Sequence, residues 1–160
     1  MSSDARPVVV AYDGSSESEA ALRTAAALFA TRRLVIASVW EPGLAMAMAS
    51  TSDPTGIGYS PPTGETIVAI DRAQREHAAE VAQNGVRIAR EAGATAEASP
   101  VADEVDVART VAELASRLDA GAIVVGSRGL GAVKSKLLGS TSAALLHHAS
   151  TPVLVVRAPH

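Results

Sequence analysis

The chain has 160 residues and a hydrophobic content of 48%, which suits one domain with a full core and leaves little room for a second. It contains no cysteine, so disulfides, zinc-thiolate sites and a thiol nucleophile are excluded. A net charge of -3 disfavours a broad nucleic-acid surface.

Met1 to Pro7 lacks the charged start and long apolar stretch of a signal peptide. No apolar run reaches the ~18 residues that span a membrane. A soluble, cytoplasmic protein is the expectation. Pro7 to Ala11 is a β-branched run and reads as a buried strand, ended by Tyr12-Asp13-Gly14-Ser15. Ser16 and Glu19 have capping-box spacing, so a helix is predicted to about Ala30, with Leu22, Ala25, Ala26 and Phe29 on its inner face.

Arg33 to Trp40 is a second strand. From Glu41 to Gly64 the periodicity dissolves, and four of the eight prolines fall there. This reads as a long, mobile surface loop, with Leu44 to Ala49 as a short helical turn or an apolar lid. Glu65 to Ala92 is a long helix whose apolar spacing predicts a buried stripe of Ile67, Ile70, His77, Val81 and Ile88. Gly93 ends it as a C′ residue.

Ala94 to Val101 is a weaker third strand. Asp103 or Asp106 caps the next helix, whose inner face is Val107, Val111, Leu114 and Leu118. Ala122 to Gly126 is a fourth strand, Ser140 to His148 a helix and Pro152 to Val156 the last strand. Strands and helices that alternate in this way imply a parallel sheet with helices on both faces. Ligands of such sheets bind beyond the carboxyl ends of the strands, where the strand order reverses.

The segment that carries chemistry runs from Gly126-Ser127-Arg128-Gly129-Leu130-Gly131-Ala132 to Gly139-Ser140-Thr141. It starts where a buried strand ends and finishes where a helix begins. Glycines allow close backbone approach, and successive exposed N–H groups form an anion-binding concavity. The helix that starts at Ser140 adds unpaired N–H groups and the positive end of its dipole. Ser140, Thr141 and Ser142 add hydroxyls, while Arg128, Lys134 and Lys136 can neutralise phosphate charge. These parts match a polyphosphate.

The spacing G-x2-G-x9-G-[ST], in its strand-to-helix context, resembles the ATP-binding branch of the universal stress protein family. Asp13 after the first strand and the closing Thr151-Pro152-Val153-Leu154-Val155-Val156 extend the resemblance over nearly the whole chain. The resemblance implies one universal stress protein domain over residues 1–160, with a five-stranded parallel sheet ordered 3-2-1-4-5, Rossmann-like. It implies adenine near Ala11, Tyr12 and Val39, with Asp13 at the ribose or at a nucleotide-bound Mg2+. Gly126 to Ala132 and Gly139 to Thr141 would wrap ribose and phosphates. A homodimer through Val153 to Val156, and a nucleotide-dependent role in stress response or dormancy, are also implied.

Two patterns are absent. There is no Walker-A loop, and Gly129-Leu130-Gly131 lacks the third glycine of a dinucleotide fingerprint, Lys134 standing there instead. His147 and His148 are adjacent on a helix and point apart, so a protein-only metal site is not expected. Asp13 could equally serve as a turn residue. No catalytic residue is assigned. The alternative is a slow ATPase or nucleotidyl-transfer enzyme that uses the same pocket, with Asp13 as its candidate acid. A phosphorylation receiver is disfavoured because Asp13 stands alone and no lysine follows the last strand. A G-x-S-x-G serine hydrolase motif is missing.

Overall fold

The computed structural model describes residues 5–43, 63–103, 106–128 and 138–159. Five strands form one parallel sheet: β1 (Val8–Ala11), β2 (Leu34–Trp40), β3 (Ala96–Ala102), β4 (Ala122–Gly126) and β5 (Val153–Val156). Four helices connect them: α1 (Ser16–Leu28), α2 (Gly64–Glu91), α3 (Val107–Arg117) and α4 (Ser140–His148). The order is β3-β2-β1-β4-β5, with Val9 of β1 paired to Val35 on one side and Ile123 on the other. The architecture expected from the alternation is therefore the one found.

Period-two alternation sends successive side chains of each strand to opposite faces. One face carries Val8, Val10, Leu34, Ile36 and Val124 and packs under α1 and α2. The other carries Val9, Val35, Ala37, Ile123 and Val125 and packs under α3 and α4. β1 is covered on both sides, which is why it reads as a continuous β-branched run.

The helix ends follow from local chemistry, with one difference from expectation. α1 is capped by Ser15 rather than Ser16: the Ser15 hydroxyl accepts the Ser18 N–H. Glu19 is then too far along to close a capping box and instead pairs with Arg23 one turn on. α2 starts at Gly64, capped by Thr63, and closes with Gly93 at φ +86°. There Ala94 N–H reaches Ala89 O and Gly93 N–H reaches Arg90 O, the paired bonds of a Schellman end. Asp106, not Asp103, caps α3; Asp103 accepts the Thr110 hydroxyl instead. The expected loop at 41–64 is described only at Glu41–Gly43 and Thr63–Gly64, and Leu44 to Ala49 lies outside the described residues.

The expected inner stripe of α2 is wrong. Ile67 and Val81 are only partly covered, His77 is exposed and Ile70 is 37% exposed; of the five, Ile88 alone is buried. The buried face is Ala78, Ala82, Gly85, Val86 and Ala89 beside Ile88. The reason is close approach. A Cβ on Gly85 would stand 2.7 Å from Ile36 Cγ2 and 3.0 Å from Tyr12 Cδ1, so at that point of the helix a residue larger than glycine does not fit without a shift.

Candidate functional site

The strand order reverses between β1 and β4, so the chain leaves their carboxyl ends in opposite directions and opens a crevice there. Ala11, Tyr12 and Asp13 arrive on β1, and Gly126, Ser127 and Arg128 on β4. Val39 comes from the end of β2, and the start of α4 faces the β4 exit.

The turn after β1 is tightly wired. Asp13 Oδ1 accepts the Ser15 N–H at 2.9 Å, and Gly14 takes φ +81°. The Asp13 N–H approaches Ser18 Oγ at 3.4 Å, while the Ser18 hydroxyl donates to Ser15 O at 3.0 Å. Asp13 thus performs the turn role, and its carboxylate position is fixed by that turn. Among the described residues no group of three or more acidic or histidine side chains could hold a metal ion. A magnesium ion here would need a nucleotide to supply most of its oxygen ligands.

The exit from β4 is packed against the first turn of α1. A Cβ on Gly126 would lie 2.8 Å from both the carbonyl carbon and the oxygen of Glu17. The glycine that looked available to a ligand is demanded by helix-on-sheet contact. Ser127 is buried, and its N–H donates to Val156 O at 2.7 Å. Its hydroxyl donates to Glu17 Oε2 at 3.1 Å, and Arg128 Nη2 donates to Glu17 Oε1 at 3.1 Å. The Ala158 N–H also donates to Glu17 Oε2, at 3.0 Å. That backbone donor first, then Ser127 and Arg128, holds the Glu17 carboxyl below its ordinary range against the opposing effect of partial burial.

The carbonyl of Ser127 anchors the entrance to α4. It accepts the Gly139 N–H at 2.6 Å and lies 3.2 Å from the buried Ser142 hydroxyl, which is also 3.0 Å from Gly139 O. A Cβ on Gly139 would stand 3.3 Å from Ser127 O and from Arg128 Cα. Gly139 is the N-cap and supplies no side-chain cap. Gly139 thus gives the first-turn N–H groups no side-chain acceptor, and Ser140 is exposed and Thr141 partly so. An anion of phosphate size suits that arrangement.

The two sides of the crevice differ. Ala11 and Val39 lie on the α3–α4 face with Val101 and Val107. The Tyr12 side chain turns to the opposite face, into the cluster under α1 and α2, where its hydroxyl accepts from Asn84 Nδ2 at 3.1 Å. Burial pushes that phenol up, opposed by the Asn84 donor. Tyr12 therefore offers the crevice its backbone and not its ring. Gly129, Leu130, Gly131 and Ala132, with Lys134 and Lys136, lie outside the described residues. Glu17 escaped the sequence reading, because its partners Ser127 and Ala158 lie 110 and 141 residues away.

The family model of the universal stress protein family matches residues 5–157. A universal stress protein of Mycolicibacterium smegmatis is 31% identical over 93% of this chain, which spans 47% of that relative's length. Universal stress protein YxiE of Bacillus subtilis is 32% identical, covering 94% of this chain and 97% of the relative. Among solved structures, a universal stress protein in complex with cAMP superposes with TM-score 0.62 at 27% identity, over 97% of this chain and 98% of the other. The Archaeoglobus fulgidus universal stress protein in complex with dAMP superposes with TM-score 0.61 at 24% identity, over 93% and 95% of the two chains, a likeness of fold.

Proposed function

The chain belongs to the universal stress protein family, and from that premise we propose that it is a single-domain, ATP-binding regulator of stress or dormancy physiology. The nucleotide sits beyond the carboxyl ends of β1 and β4. The observation that carries this reading is the start of α4, an uncapped helix terminus whose position is fixed by Ser127 O through Gly139 and Ser142. Phosphates lie against the N–H groups and hydroxyls of Ser140 and Thr141 and against the segment Gly129 to Ala132. The adenine lies toward Ala11 and Val39, where the sheet face is apolar, and Asp13 is at the ribose or at a nucleotide-bound Mg2+.

Support comes also from the relative that holds cAMP, an adenine nucleotide, at 27% identity. The reading assigns no catalytic residue, places the protein in the cytoplasm and pairs two copies along β5, an edge strand. Equilibrium titration with ATP, AMP and cAMP tests it. Affinity tighter than millimolar for at least ATP is expected. Gly139→Val should weaken it at least tenfold, since its Cβ would crowd Ser127 O and Arg128 Cα at 3.3 Å and push the entrance to α4 away. No binding of ATP at millimolar concentration would contradict the proposal. Phosphate release should be equally slow for the wild type and Asp13→Ala; a rate that depends on Asp13 would favour the enzyme reading.

A further inference from the structure

The binding scheme above makes no use of Glu17, yet the fold spends three donors on its carboxylate. Oε1 takes the Arg128 guanidinium, and Oε2 takes the Ser127 hydroxyl and the Ala158 N–H. The carboxylate side is well enclosed, with 13% of the Glu17 side chain exposed against 26% for Arg128. Arg128 is thus directed back onto α1, away from the role of phosphate cation that its place in the loop suggests. The pair presents little net charge to anything bound beyond β4.

Resting on the nucleotide reading of this site, we infer that Glu17 is a specificity-determining residue: it neutralises Arg128 and so withholds that charge from the ligand's phosphates. The phosphates are then held by backbone N–H groups and hydroxyls, donors that favour anions without a full charge. The site consequently gains less from each added phosphate than one with a free arginine. Replacing the carboxylate by an amide keeps an acceptor for Ser127 or Ala158 but leaves the guanidinium without its anion. Arg128 is then available to a phosphate, and the gain scales with ligand charge.

The test titrates the wild type, Glu17→Gln, Arg128→Ala and the double variant with ATP and with adenosine, at two salt concentrations. Adenosine serves as the divisor that removes any general damage to the pocket. The ATP-to-adenosine affinity ratio should rise about tenfold in Glu17→Gln, less so at high salt, as expected for one unit charge freed near the phosphates. It should return toward the wild-type value in the double variant. In Arg128→Ala alone the ratio should fall, because the Glu17 carboxylate is left without its cation, and the double variant should restore it. An unchanged ratio in Glu17→Gln overturns the inference, as does a rise that survives removal of Arg128. So does a fall in Arg128→Ala that persists undiminished in the double variant, which would mean that Arg128 itself holds the phosphates. These outcomes leave the nucleotide site standing, whereas a wild type that binds neither ligand removes the site and the inference together.

Discussion

Gly126 illustrates how one residue type can answer to two demands. As the first glycine of the loop it looks like a point of ligand approach, but its hydrogen faces the backbone of Glu17 at a distance where no Cβ fits. Gly126→Ala should therefore destabilise the fold by about 1–3 kcal/mol, because helix α1 cannot flex like a side-chain tip. A denaturant midpoint that does not move would show that α1 is less tightly seated. Glu17 itself predicts a pH dependence. Its folded pKa lies below the ordinary 4.5, so the folded state binds that proton less readily than the unfolded chain. Its contribution is fully present above the unfolded value and is lost as pH falls through the lower folded value. The stability difference between wild type and Glu17→Gln should accordingly shrink on acidification below about pH 5, read from urea midpoints at a series of pH values. A difference independent of pH would contradict that assignment.

At the level of elements, the strands were legible because burial on both faces leaves uninterrupted apolar runs, as at Val8–Ala11 and Ala122–Gly126. The long helix α2 was legible in extent but not in facing. Its sequence offers isoleucines at helical spacing, and reading the largest apolar residues as buried selects Ile67 and Ile70. The fold instead buries a face further along, Ala78, Ala82, Gly85, Val86, Ile88 and Ala89, and at Gly85 the helix lies too close to Tyr12 and Ile36 for a side chain to fit without a shift. Interhelical and helix–sheet distance is a tertiary quantity, and no local pattern encodes it. Gly85→Ala should cost about 1–3 kcal/mol, with the Tyr12 ring and Ile36 forced to shift. If the variant matches the wild type in thermal midpoint, the helix can ride outward and the close-approach account fails. The capping residue of α1 was misplaced by one position for a similar reason: Ser15 and Ser16 both offer a hydroxyl, and the Asp13 turn decides between them.

At the scale of the whole molecule, the order β3-β2-β1-β4-β5 brings together segments separated by more than a hundred residues. Asp13, Gly126 and Gly139 were visible in sequence as turn and loop signals around a predicted reversal of strand order. Glu17 was not, because its significance exists only once the exit from β4 and the residues after β5 converge on it. The carboxyl ends of β1 and β2 offer apolar side chains at Ala11 and Val39, and the start of α4 offers the hydroxyls of Ser140 and Thr141. That pairing of surfaces is what an adenine nucleotide requires. The most direct measurement is an amide NMR titration of the full chain with ATP. The account predicts that shifts concentrate at Asp13, Ser127 and Gly139 to Ser142, with the β3 edge at Ala96–Ala102 silent. Perturbations absent from the start of α4, or centred on another face of the sheet, would contradict it.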